Sequence, residues 1–102
     1  MRFEWNEQKN ALNLAKHGIS FEEARLIFDG PVVSRMDDRI DYGEQREVSV
    51  GAIGEIIVVT VVHTSREGAV RLISARLANR RERRLYHEYL RQAAEGNRSP
   101  KG

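Results

Sequence analysis

The sequence predicts an α+β domain of two layers, an antiparallel sheet packed by helices, in the order β-α-α-β-β-β-β-α. Three observations carry that expectation. Two N-capping signatures, at Asn6 and Ser20, open short helical patterns early in the chain. Four runs of strand character follow between Pro31 and Arg76, separated only by short polar or glycine turns, and short turns join antiparallel strands. A long charged helical pattern begins after Asn79. Sheet and helices must each bury an apolar face, so they pack on one another.

Arg2 to Trp5 alternates, with Phe3 and Trp5 on one side, and reads as a short strand. Asn6 caps the next helix, Glu7 suits its first turn, and Ala11, Leu14 and Ala15 recur at helical spacing. Lys16-His17-Gly18 ends it, with cations in the last turn and glycine after them. Ser20-Phe21-Glu22-Glu23 is a capping box, and Ala24, Ile27 and Phe28 give that helix an apolar stripe as far as Asp29-Gly30-Pro31.

The strands read as Pro31 to Met36, Arg46 to Ala52, Ile56 to His63 and Ala69 to Arg76. Asp37 to Gly43, Ile53 to Glu55 and Ser65 to Gly68 are the turns between them. Val48 and Val50 alternate with Glu47 and Ser49, which predicts one wet face. Ile56 to His63 is nearly all β-branched and reads as a central strand covered on both sides. The last helix carries an Asn79-x-x-Glu82 box and should run to about Glu95, with Leu85, Tyr89, Leu90 and Ala93 toward the sheet. Residues 98–102 read as a frayed tail of the single domain 1–102.

The 102 residues fit one domain. With no cysteine, disulfides, thiolate metal sites and a cysteine nucleophile are excluded. The longest apolar run is too short to cross a bilayer, and the first ten residues lack a signal-peptide core, so a cytoplasmic protein without membrane attachment is expected. The net charge of +2 conceals an asymmetry. Residues 1–65 hold 7 basic and 11 acidic side chains, whereas residues 66–102 hold 10 basic and 4 acidic. All the late basic residues but Lys101 are arginines, whose planar fork matches phosphate oxygens. The pattern suits a nucleic acid or a solvated helix face.

On the last helix Arg80, Arg84, His87 and Arg91 form one stripe. Intrahelical pairs, Arg84 with Glu88 and Arg91 with Glu95, are the alternative use for it. Tyr86 reads either as core or as a phenol that donates a proton or stacks on a base. Arg76 ends the last strand and Arg66 precedes it, so two guanidinium groups are expected around one phosphate. Lys9 and Lys16 share a face of the first helix. His17 reads as a helix-end residue and His63 as a structural histidine. Asp37, Asp38 and Asp41 lack the spacing of a calcium loop, and no phosphate loop, nucleophile elbow or zinc motif occurs. A nuclease built from these residues needs neither metal nor cofactor, because RNA carries its own 2′-OH nucleophile.

Two segments together resemble the signatures of BrnT toxins. One is Phe3-Glu4-Trp5-Asn6 with Lys9, Asn13 and Lys16 through Ala24; the other is Ile73-Ser74-Ala75-Arg76 with Ala78, Arg80, Glu82-Arg83 and Tyr86. Gly43 to Arg46 and His63-Thr64 before Arg66 are similar in kind, so the likeness spans Arg2 to about Glu88. Asn6 stands where such proteins commonly have Asp. The resemblance implies a RelE-like fold and a type II toxin that cleaves RNA and slows translation. It also implies a ribbon-helix-helix, BrnA-like antitoxin that covers the active surface and binds operator DNA. Residue by residue it favours Lys9, Arg66, Arg76, Arg80 and Tyr86 as the active site, and Lys16, Arg83 and Arg84 are expected to hold flanking RNA phosphates. The alternative is a non-catalytic module that binds nucleic acid or the antitoxin.

Overall fold

The structure, a computed structural model, describes residues 1–38 and 43–97. The middle of the expected 37–43 turn, Asp41 included, and the 98–102 tail lie outside the described residues. Five strands, β1 (Arg2–Glu4), β2 (Val32–Asp37), β3 (Arg46–Ile53), β4 (Ile57–Arg66) and β5 (Ala69–Leu77), form one sheet in the order β1-β5-β4-β3-β2. The helices are α1 (Glu7–His17), the four-residue α2 (Phe21–Ala24), which tightens into a 3-10 turn over Arg25–Asp29, and α3 (Arg80–Asn97). Element order and two-layer architecture match the expectation. The sheet differs in one respect: β1 joins its edge parallel to β5, because α1 and α2 intervene before the hairpin strands begin.

The expected caps are present. Asn6 Oδ1 accepts from the Lys9 amide, and Gly18 takes the left-handed conformation (φ 75°) that ends α1. Ser20 and Glu23 bond each other's backbone amides in a capping box. Asn79 and Glu82 do the same for α3.

Residues paired across strands point to one side of the sheet. The inner side carries Val59, Val61, Leu72 and Ala75, which pack against Ile19, Phe21, Ala24 and Ile27 from the α2 segment. At Gly51 an added Cβ would stand 2.8 Å from Ile27 Cβ, so β3 and the 3-10 turn touch through the glycine backbone. The α1 helix closes the free edge of β5. Asn13 Nδ2 donates to the Ala75 carbonyl at 2.8 Å, and its Oδ1 accepts from the Ala75 amide at 3.1 Å.

The expected wet face of β3 is wet only at Glu47, whose side chain is 41% exposed. Ser49 is 0% exposed, and its hydroxyl bonds Ser34 Oγ at 2.6 Å and His63 Nε2 at 2.7 Å. Such partners let a polar residue sit in a core. The α3 helix is also rotated from the expected setting. Tyr86 and Leu90 face the sheet with Ala78 and Val58, while Leu85 and Tyr89 are exposed.

Candidate active site on the open sheet face

The outer side of the sheet is only partly covered. α3 crosses one end of it, over Val33, Val50, Ala52 and Val58. Beyond α3 the register lays out successive rows. Arg35 pairs with Val48, Val48 with Val62 and Val62 with Ser74. In the next row Asp37 pairs with Arg46, and Thr64 with Arg71, which pairs with Glu4. Last come Arg66, Ala69 and Arg2. Arg76, paired with Thr60, lies on the same side beside α3. Strand alternation thus gathers Arg2, Arg35, Arg46, Arg66, Arg71 and Arg76 on one surface.

Some of these cations are neutralised. Arg71 meets Glu4 at 3.2 Å, and Arg46 meets Glu44 at 3.2 Å. Arg76 donates from both terminal nitrogens to Glu82, at 2.8 and 2.9 Å, while its side chain stays 42% exposed. Glu82 also accepts from Thr60 Oγ1 and the Asn79 amide. The guanidinium above all, with those hydrogen bonds, outweighs burial and holds the Glu82 carboxyl at about 2. Glu82 therefore joins β4, β5 and the start of α3. Among the described residues Arg35, Arg66 and Arg81 make no ion pair.

Lys9 and Lys16 are brought together as expected. They line one shallow groove with Asn13, His17, Ile73 and Ser74, at the edge of β5 that α1 covers. Ser74 lies on the outer side, two residues from Arg76, so the two lysines approach the open face from the β5 edge.

The other expected positions separate. Arg66 is opposite Ala69 and Arg76 opposite Thr60, six strand residues apart, or about 20 Å. The two share a surface but cannot grip one phosphate. The cause is the length of β4, which continues through Thr64 and Ser65 instead of turning there. Arg84 stands on the side of α3 away from Tyr86 and Leu90, and Arg80 on its flank; both are exposed to solvent. Arg83 donates to the Ala78 carbonyl at 2.7 Å and braces the start of its own helix. Glu88 pairs with Arg91, which also meets Glu95 at 3.7 Å.

Tyr86 takes the core alternative. It is 3% exposed and its hydroxyl donates to the Pro31 carbonyl at 2.9 Å. Burial raises its pKa above the usual phenol value. A buried phenol bonded to backbone is not placed for proton transfer, which corrects the catalytic expectation for it.

The sequence reading missed Glu82 as the partner of Arg76, and Arg2, Arg35 and Arg81 as members of this face. Strand parity at Arg35, two residues after the apolar Val33, was the available signal. Arg35 and Arg81 flank a cleft of ≈ 520 Å³ between α3 and the sheet. Among the described residues no three His, Asp or Glu side chains gather as a metal site.

No curated protein matches the chain. Among solved structures it is similar to the crystal structure of the Brucella abortus ribonuclease toxin BrnT, at 25% identity and a TM-score of 0.59, over 78% of this chain and 99% of that one. The model of the family described as the ribonuclease toxin BrnT of type II toxin-antitoxin systems matches residues 5–82. That match runs from Trp5, just after β1, through the first turn of α3, with both lysines, Arg66, Arg76 and Glu82, and so the chain belongs to the BrnT family of ribonuclease toxins.

Proposed function

We propose that this chain is a metal-independent endoribonuclease that cuts RNA by attack of the substrate's own 2′-OH on the adjacent phosphate. One observation supports the reading: the outer sheet face bears Arg76 two residues from Ser74, and Ser74 lines one groove with Lys9 and Lys16 of α1. Arg76 is the side chain for the scissile phosphate, because a guanidinium held in one orientation is ready for the charge that develops in the transition state. Lys9 supplies proton transfer or a second charge there. Lys16 and Arg66 hold flanking phosphates, with Arg66 reaching a different one from Arg76. Arg80, Arg83 and Arg84 contribute at most to general attraction of the polyanion. A ribbon-helix-helix antitoxin of BrnA type, itself bound to operator DNA, is the partner that silences the toxin by covering this face. The site of action is the cytoplasm, where RNA and translation are.

The test is purified protein on naked RNA in EDTA. Cleavage that leaves 2′,3′-cyclic phosphate ends, abolished by Arg76→Ala and reduced by Lys9→Ala with circular dichroism unchanged, is expected. Binding without cleavage would instead make the chain a non-catalytic nucleic-acid module. Full activity of Arg76→Ala would remove that residue from the site.

A further inference from the structure

The cleft between α3 and the sheet has a composition that phosphate binding alone does not require. Its floor is Val33, Val48 and Val50, and Leu85 of α3 forms a wall. Leu85 is 54% exposed, a large apolar group held open to solvent. Arg35 and Arg81 stand among the lining side chains and make no ion pair among the described residues. At the inner end Glu82 is neutralised by Arg76, so it does not repel an anion. Asn79 offers a side-chain amide there whose oxygen is engaged by the Glu82 amide, while its Nδ2 remains a donor. The volume, ≈ 520 Å³, lies in the range of pockets that enclose small ligands, roughly 300–1,000 Å³.

Apolar walls with cations beside them fit a nucleotide better than an isolated phosphate. Single-stranded RNA is recognised through splayed bases that bury their flat faces against side chains and bond through their edges. We propose that this cleft holds one unstacked nucleobase of the RNA, with Arg35 and Arg81 taking the phosphates on either side of it. The base lies over Val48 and Val50 against Leu85, and Asn79 Nδ2 donates to a carbonyl or ring nitrogen of its edge. The cleft adjoins Arg76 through Glu82, so the seated base sets which linkage reaches the reactive face. This inference rests on the ribonuclease reading for its substrate. An apolar segment of a protein partner is the competing occupant, and two arginines with no ion pair among the described residues argue against it.

The experiment follows the methyl resonances of the full-length protein during titration with the four 5′-mononucleotides, with ribose 5-phosphate and inorganic phosphate as controls. At least one mononucleotide is expected to shift Val33, Val48, Val50 and Leu85, and the controls are not. Equal shifts with ribose 5-phosphate, or none with any mononucleotide, would overturn the base subsite. In RNA cleavage, Leu85→Asp should raise KM about tenfold with kcat unchanged. Arg35→Ala and Arg81→Ala should each lower the salt slope of RNA binding by about one. Wild-type cleavage in all three variants refutes the cleft and leaves the nuclease standing. A protein that cuts no RNA refutes the nuclease, and the nucleotide titration still decides the cleft.

Discussion

Arg76 and Glu82, six residues apart, form a two-point ion pair that ties the last strand to the start of the last helix. The same carboxylate caps α3 through the Asn79 amide and accepts from Thr60 on the neighbouring strand. One side chain therefore starts the helix, docks it on the sheet and sets the direction of the guanidinium proposed to meet the scissile phosphate. Structural and functional demands fall on the same residue, so its effects on each can be separated only by measuring both.

Glu82→Gln keeps the shape and removes the charge. It is expected to cost about 2 kcal/mol, the scale of a helix cap together with a charge-assisted bond. The pH dependence has a definite sign. Glu82 is held at about 2, below its ordinary 4.5, so its contribution is present above 4.5 and is lost as pH falls from there toward 2. Urea midpoints of the wild type should drop through that window, and those of Glu82→Gln should drop less. An equally steep fall in the variant would show that other carboxylates dominate acid unfolding. RNA cleavage by the folded variant should also weaken, because Arg76 is no longer held.

Tyr86 discriminates between core and catalytic roles. Tyr86→Phe removes only the hydroxyl that bonds Pro31 and leaves the Pro31 carbonyl without that partner. The expected loss is about 1–2 kcal/mol of stability, with the RNA cleavage rate within twofold of wild type. A hundredfold fall in kcat at unchanged stability would restore the phenol to the chemistry.

Much of this arrangement was readable because its causes are local. A cap needs only the few residues around it, and Asn6, Ser20 with Glu23, and Asn79 with Glu82 each closed the helix start they signalled. The β-branched run of β4 likewise announced a central strand. What escaped depends on distant partners. Nothing within Arg2–Glu4 says that it will lie parallel to β5. Ser49 looks solvent-facing until Ser34 and His63 are found beside it. On α3 both Leu85 with Tyr89 and Tyr86 with Leu90 make apolar pairs at helical spacing, and contact with the sheet selects the second. At the site, arginine identity was legible but its grouping was not, because convergence depends on where a strand stops.

His63 gives a second loss of stability on acidification, from a different cause. Its ring is buried against Phe28 with centroids 5.1 Å apart. Nδ1 has no hydrogen-bond partner among the described residues and lies 3.9 Å from Glu47. Burial pushes its pKa below the ordinary 6.5, and the Glu47 charge opposes this only in part. The fold therefore prefers neutral histidine. Stability from this group is complete above 6.5 and declines as pH falls below it, where the unfolded chain takes up a proton that the native state refuses. His63→Gln should be less stable at pH 7 by about 1–3 kcal/mol, since Ser49 and the ring packing are disturbed. Its stability should change less between pH 6.5 and 5 than that of the wild type. A wild-type profile flat over that interval would contradict the shift.

Arg66 tests how the open face engages a strand. Its register position is about 20 Å from that of Arg76 along the sheet, and it makes no ion pair among the described residues. A phosphate at the scissile position cannot touch both. Arg66 can act only on substrates long enough to extend across the face, past the Arg71–Glu4 pair that lies between. Arg66→Ala should therefore raise KM about tenfold on an RNA of ten or more nucleotides, the scale of one phosphate contact of roughly 1–2 kcal/mol, with little change in kcat. On a dinucleotide the same substitution should do nothing. Arg76→Ala should impair both substrates alike. Loss of dinucleotide cleavage in Arg66→Ala would mean that the two arginines act on one phosphate after all, which this strand register forbids unless the β4–β5 hairpin rearranges on binding.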